Sequence, residues 1–323
     1  MSVPRLRLAP EPTVSVVVPT LDRPVRTATV VRAVLAGEEL PLEIVVVDQS
    51  EDDATRRALE EIGDERVRHV PLGPPSTSAA RNEGARLARG EYVAFLDDDV
   101  EITTRWLAAL TSEIAGLGGP DALFGEVHAP DGFAPDRTRL PVSVFHVEEA
   151  RVWENVVHPN RVGYAANFVC RRDVFLESGG FDTRLGPGSR FPGAEDMDLG
   201  YRLLKSGYRV ASTPGFEIVH EQWREPGDLP KLFYGYNLGG AAFCAKHLRS
   251  GDLRPLRFLL VQVGGDARMA ASALRRRSRV RARVAAARAA GTWSGLALGL
   301  RKLGGESPPA PGTSPGSPPR DGS

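Results

Sequence analysis

Cysteine is almost absent: the 323 residues contain two, Cys170 and Cys244, far apart and without the spacing of metal ligands. A disulfide framework and a cysteine-based zinc site are thereby excluded as organising devices, and a reducing compartment fits best. No apolar run approaches the roughly 20 residues needed to span a bilayer. The opening MSVPRLRLAPEP carries charges and prolines but no apolar core, so residues 1–12 read as a flexible tail and not as a secretory signal. Net charge is missing too. Forty-one Lys and Arg balance 41 Asp and Glu, which gives no whole-protein attraction to nucleic acid. The balance hides an asymmetry, because residues 267–305 hold ten Arg or Lys and no acid.

What is present is enough chain for one large domain or two smaller ones, with strand and helix signals alternating from residue 14 to about 115. Val14 to Val18 is β-branched and stops at Pro19, and an apolar-periodic stretch follows from Pro24 to Leu35. Glu43 to Val47 is the continuous apolar run of a strand buried on both faces. Ser50, three residues before Asp53, approximates a capping box for a short helix reaching about Ile62. Val67 to Val70 predicts a third strand, Ser76 or Thr77 a cap for a helix to about Ala88, and Glu91 to Leu96 a fourth strand. Thr103 or Thr104 is expected to cap the next helix.

This alternation implies right-handed crossovers and a mainly parallel sheet. Asp22, Asp48, the segment 76–82 and Asp97 to Asp99 then all lie just past strand C-termini, the edge at which open α/β sheets bind ligands. Beyond residue 120 the pattern predicts a strand over Val162 to Cys170, a helix from Glu195 to about Ser206, a strand from Phe216 ending at His220 and a helix over 231–249. The stretch 268–302 reads as basic, amphipathic and broken near Gly291 and Gly295, and the Pro-, Gly- and Ser-rich residues from 304 as a disordered tail.

Phe95-Leu96-Asp97-Asp98-Asp99 puts three carboxylates directly after an apolar strand. Their mutual repulsion must be offset by water or by a cation, and Mg²⁺ or Mn²⁺ held by one or two carboxylates plus phosphate oxygens would serve. A solvated acidic turn is the competing reading. With Val14 to Thr20 and Asp22-Arg23, Val45-Val46-Val47-Asp48, Ala80-Arg81-Asn82-Glu83-Gly84, Gly179-Gly180-Phe181-Asp182 and Glu195-Asp196-Met197-Asp198-Leu199, the chain resembles family 2 glycosyltransferases of the GT-A fold over roughly residues 13–225.

The resemblance implies an α/β, Rossmann-like sandwich and an inverting transfer of sugar from a nucleotide-diphosphate donor, dependent on a divalent cation, Mn or Mg. Pro19, Thr20, Asp22, Arg23, Asp48, Arg81, Asp97 and Asp98 would bind the nucleotide sugar, with Asp48 on the base and Arg81 on base or phosphate. Asp99, Asp97 and His220 would hold the metal, Asp196 would be the general base with Glu195 in support, and Gly179 and Gly180 would face the acceptor. Each has a blander reading: a salt bridge for Arg81, helix capping for the acidic pair, a tight turn for the glycines, structure for His220. Trp153, Trp223 and Tyr164 are expected in packing more than in stacking on sugars.

Two departures stand out: Asp22 where the family has Asn, and Asp48-Gln49-Ser50 where it has Asp-Asp-Gly-Ser. Gln222-Trp223-Arg224 lacks the Gln-x-x-Arg-Trp spacing of processive synthases, so single additions are expected, in cell-wall, polysaccharide or glycolipid synthesis. The alternatives are a nucleotidyltransferase and a non-catalytic sugar-nucleotide-binding protein. The expected division is a tail over 1–12, a GT-A domain over 13–225, a helical basic region over 226–303 and a tail over 304–323. The acceptor is expected to be a carbohydrate or a lipid-linked one, and the location cytoplasmic, at the inner face of the membrane if 268–302 lies on anionic lipid. The competing reading of 268–302 is a helical appendage packed on the core.

Overall fold

A computed structural model describes residues 12–131, 143–221 and 227–303. The tail expected over 1–12, apart from Pro12, the tail over 304–323 and Gln222-Trp223-Arg224 lie outside the described residues.

Val14–Thr20 (β1), Glu43–Asp48 (β2), Val67–Pro71 (β3) and Tyr92–Leu96 (β4) form one half of the sheet, in the order β3-β2-β1-β4 and all parallel. Asn167–Arg171 (β8) runs antiparallel to β4 and carries the sheet on to Ala122–His128 (β6), Val210–His220 (β9) and the two-residue Val100–Glu101 (β5). Arg151–Trp153 (β7) pairs with β9 off that path. Strands β6 and β9 are mutually parallel and share the direction of β1, whereas β5, β7 and β8 oppose it. The fold is a mixed α/β sandwich with the predominantly parallel sheet expected.

Strand alternation sends side chains to both faces. Val14, Val16 and Val18 pack with Val30, Val31, Leu107 and Leu110 of Pro24–Leu35 (α1) and Trp106–Gly116 (α4). Val17, Val45 and Phe95 face the opposite side, against Ala80 and Ala85 of Thr77–Leu87 (α3), Phe175 of Arg172–Glu177 (α5) and Leu199 and Leu203 of Glu195–Lys205 (α6). Gly84 is what lets α3 lie so close, since a Cβ there would sit 2.3 Å from Val17 Cγ1.

Some local expectations change. The helix Ala54–Glu60 (α2) has no side-chain cap, because the Ser50 hydroxyl is taken by Asp48 Oδ1 at 2.6 Å. Helix α4 starts at Trp106 after Arg105 and is capped by neither Thr103 nor Thr104. The strand expected from Val162 begins only at Asn167, after a short 3₁₀ turn over Pro159–Arg161. Ser76 does cap α3, accepting from the Ala79 amide at 3.3 Å.

Leu229–Arg249 (α7), Pro255–Arg276 (α8) and Arg279–Lys302 (α9) form a helical layer. A buried ionic network joins α6 to α7: Asp198 meets Lys246 Nζ at 2.7 Å, His247 Nε2 at 2.9 Å and Arg202 Nε at 2.7 Å. Burial works against the Asp198 charge, but Lys246, Arg202 and His247 outweigh it and hold this carboxyl well below its usual range. The break expected near Gly291 and Gly295 is absent. Helix α9 runs through both, and the chain turns instead at Arg277, left-handed at φ 49, before Ser278 caps α9. Gly291, Gly295 and Gly299 recur every four residues, line one face, and form a seam against α7. A Cβ at Gly295 would lie 2.2 Å from the Leu238 carbonyl oxygen, an atom that cannot move aside.

Gly295→Ala is therefore expected to lower stability by about 1–3 kcal/mol through overpacking, despite a helix-propensity gain of about 1 kcal/mol. Gly200→Ala in α6, where a Cβ meets nothing within 4 Å, should raise stability by up to ~1 kcal/mol. Urea unfolding of the two variants beside the parent checks the opposite signs.

Candidate active site

The C-terminal ends of β1, β2 and β4 deliver Thr20, Asp48 and the Asp97–Asp99 run to one sheet edge, and α3, α6, β9 and the helical layer close round it. The resulting cleft encloses about 920 Å³. Pro19, Thr20, Arg23, Arg81, Asp97, Asp98, Asp99, Glu195, Asp196 and His220 all line it. Asp22, Asp48, Gly179 and Gly180 are not among the lining residues.

Asp48 is buried behind the cleft: Oδ1 accepts from the Ser50 amide and hydroxyl, and Oδ2 lies 2.9 Å from His69 Nε2. The adjacent Gln49 reaches the cleft instead, with its amide tied to the Pro74 carbonyl and the Ser76 amide. Asp22 is exposed and left-handed, with φ 55. Gly179 and Gly180 turn the chain after α5 in the left-handed region, and a Cβ on Gly180 would meet Asn82 Oδ1 at 2.5 Å. The 180 carbonyl accepts from Arg202 in α6.

The three aspartates have separate surroundings. Asp98 accepts from the Thr20 hydroxyl at 2.8 Å and from Arg23 at 2.8 Å. Burial nevertheless pushes its pKa up, against the pull of Arg23 and Thr20. Asp97 pairs with Arg81 at 2.5 Å, and Arg81 and His220 hold its carboxyl below the usual range although burial opposes them. Asp99 lies beside Arg23 at 3.2 Å and has Oδ1 3.6 Å from His220 Nε2.

Asp97, Asp99 and His220 each offer a ligand atom within 4.8 Å of the others. His220 Nδ1 lies 3.0 Å from the Glu221 carbonyl oxygen, which can only accept, so Nδ1 donates there and Nε2 is the nitrogen that faces Asp99. Two carboxylates and an imidazole nitrogen make a donor set suited to a divalent cation.

Arg81 ties the two acidic groups together. It projects from α3, is only 3% exposed, and reaches Asp97 at 2.5 Å and Glu195 at 3.3 Å while lying 5.4 Å from the Phe181 ring centroid. Its Nε has no hydrogen-bond partner among the described residues. Burial disfavours the guanidinium charge, but Asp97 and Glu195 more than restore it. Glu195 and Asp196 open α6 after the left-handed Ala194, where the helix dipole favours negative charge. Asp196 Oδ1 accepts from the Met197 amide at 2.7 Å. Burial and the neighbouring Asp196 push Glu195 up to about 7 against Arg81, and burial raises Asp196 as well.

Sequence reasoning did not reach the far wall of the cleft, which includes Tyr236, Asn237, Gln262, Arg268 and Arg288 from α7 to α9. The basic run advertised the arginines but not the turn that folds them back. Asp266 is the buried hub of that wall, accepting from Asn237 at 2.8 Å, Thr292 at 2.8 Å and Arg288 at 2.9 Å. Tyr164 lines the cleft, while Trp153 is absent from the lining and donates to Ser212.

Residues 15–177 match the family model described as glycosyl transferase family 2. The chain belongs to this family. It is 30% identical over 217 residues to the glucosyl-dolichyl phosphate glucuronosyltransferase of Haloferax volcanii, covering 64% of this chain and 69% of that one. Over 233 residues it is 32% identical to the O-antigen biosynthesis protein RfbC of Myxococcus xanthus, covering 65% of this chain but only 17% of that protein. In fold it is similar to the mannosyltransferase PcManGT from Pyrobaculum calidifontis, solved in complex with GDP-Man and Mn²⁺. The TM-score is 0.58 at 19% identity, over 88% of this chain and 87% of that one. The family 2 chain thus has the GT-A fold.

Removing Arg81 from this family 2 site leaves the buried Glu195 and the half-buried Asp97 with no cation between them. Arg81→Ala is expected to cost about 3–5 kcal/mol at pH 8. The loss should shrink at pH 6, because Glu195 titrates at about 7 even with Arg81 in place and higher without it, so in the variant it is then protonated and places no charge beside Asp97. Urea unfolding at the two pH values measures the difference.

Proposed function

We propose that this chain is an inverting, non-processive glycosyltransferase, moving a sugar from a nucleoside-diphosphate donor to an acceptor hydroxyl. The observation that carries the reading is one cleft lined by both Asp97–Asp99 with His220 and the Glu195–Asp196 pair, with Arg81 between them. Asp99, Asp97 and His220 would hold a divalent cation. When bound, that cation supplies charge neutralisation for the diphosphate leaving group.

The protein groups divide the rest of the work. Thr20, Arg23 and Gln49 stand where the nucleoside would enter along the sheet edge. Asp48 braces that wall through Ser50 and His69. Asp196 takes the proton of the acceptor hydroxyl as its oxygen attacks the anomeric carbon from the face opposite the leaving group. Its raised pKa makes it a stronger base than a surface aspartate. Glu195 keeps Arg81 in place, and Arg81 keeps Asp97 ionised. The sequence divides at the same place in this reading, into a GT-A domain over 13–225 and a helical basic region over 226–303.

The acceptor in this reading is a carbohydrate carried on a lipid phosphate. Arg268 and Arg288 supply positive charge to the far wall. Helix α8 exposes Leu256, Leu260 and Val263 on its outer surface, and the Haloferax relative is named for a dolichyl phosphate substrate. No helix among the described residues is long and apolar enough to cross a membrane, so contact with lipid would be peripheral, through α8 and the basic 268–302 stretch.

A panel of nucleotide sugars, titrated with and without Mn²⁺ or Mg²⁺, tests the donor site. At least one should bind at submillimolar concentration with metal, and Asp99→Asn should weaken it tenfold or more. Failure of every sugar at millimolar concentration would remove the transferase reading. Asp196→Asn should keep donor binding but lose transfer by roughly 10²–10⁴-fold.

The pH profile supplies a further check. A base must be ionised to act, so kcat/KM should rise with pH along a limb near 7, set by the Glu195–Asp196 pair. A flat profile between pH 6 and 8 would contradict this role for the pair.

A further inference from the structure

A second cluster of ligating side chains, separate from the Asp97–Asp99–His220 group, stands on β6 and β9. Glu126 and His128 are two residues apart on β6 and therefore share a face. Glu217 is the register partner of Glu126 on β9. His128 Nε2 lies 3.1 Å from Glu126 Oε2 and 3.0 Å from Glu217 Oε2, so one ring nitrogen faces two carboxylates. A single N–H cannot give both oxygens a full-strength linear bond, whereas a cation among the three atoms would satisfy all of them. Donor atoms around a tetrahedral ion with bonds of about 2.0–2.1 Å are ~3.3 Å apart, close to the spacing observed here.

The groups around the cluster hold it ready. Glu126 is 5% exposed, and its other oxygen accepts from the Val147 amide at 2.6 Å and lies 2.5 Å from His146 Nδ1. That fixes the carboxylate and turns Oε2 toward His128 and Glu217, as hydrogen-bonded second partners do for metal-binding carboxylates. Rigid strands supply the three ligands. Segment 143–147 is joined to the cluster through Val147 and His146, and its Ser143 and Val144 line the cleft.

We propose that Glu126, His128 and Glu217 form a second divalent-cation site of zinc type, with His146 beside it, that fastens segment 143–147 against β6 and so shapes one wall of the cleft. The imidazole–carboxylate donor set favours Zn²⁺ over Mg²⁺. The proposal is independent of the transfer reaction, since the catalytic groups take no part in it.

Zinc binding to the full chain, followed by calorimetry and elemental analysis in an Asp99→Asn background, isolates this cluster from the Asp97–Asp99–His220 group. One equivalent of Zn²⁺ is expected, lost or weakened at least tenfold in both His128→Ala and Glu217→Gln. Glu217 is exposed, so its variant folds even if His128→Ala does not. Added Zn²⁺ should also raise the melting temperature of the Asp99→Asn protein and leave that of its Glu217→Gln derivative unchanged. If Zn²⁺ binds no more tightly to Asp99→Asn than to Asp99→Asn with Glu217→Gln, the cluster is only an ion-paired surface group and the proposal fails.

Discussion

A buried guanidinium between two carboxylates is the constraint round which the site is built. Arg81 comes from α3, Asp97 from the end of β4, and Glu195 from the first turn of α6, more than a hundred residues after Arg81. Left alone in so dry a place, any of the three charges would cost several kcal/mol or titrate away. Together they are tolerated, and their pairing sets the distance between the two acidic groups. Gly84 serves the same end by letting α3 approach β1 closely enough for Arg81 to reach across.

The electrostatics of the cleft follow from that triad. Asp97 is held ionised by Arg81 and His220, whereas Asp98, deeper and partnered by Thr20 and Arg23, is pushed toward its neutral form. Glu195 and Asp196 both titrate high because burial is only partly offset by Arg81. Asp97, Asp98 and the Glu-Asp pair thus become groups of unequal basicity: burial raises Asp98, Glu195 and Asp196, while at Asp97 the charges of Arg81 and His220 overcome it. The helical layer completes the enclosure through a different device, the glycine seam that presses α9 onto α7 and the Asp266 hub that orients Arg288 and Asn237.

Much of this was legible in the linear chain. The β-branched runs at 14–18 and 43–47 named their strands because a strand buried on both faces needs apolar side chains at every position, and Ser76 announced the cap of α3. Other local signals misled. Ser50 resembled a helix cap but its hydroxyl went to Asp48, a nearer and charged acceptor. Gly291 and Gly295 resembled helix breaks, yet tight packing on α7 favours glycine more than propensity disfavours it. Asp48 was expected to face the nucleotide base, and in the fold its carboxylate is engaged by Ser50 and His69 while the adjacent Gln49 lines the cleft.

By itself the amino-acid order determined which groups exist and which strand ends carry them: alternation of apolar runs dictates crossovers, and crossovers deliver loops to one edge. Only the tertiary structure decided which side chains meet. Arg81 with Glu195, Asp99 with His220, Glu126 with Glu217, and Arg268 and Arg288 on the far wall are all encounters across long stretches of chain. Such contacts depend on how helices and strands pack, and packing is set by side-chain volumes in three dimensions, which no periodicity along the chain records.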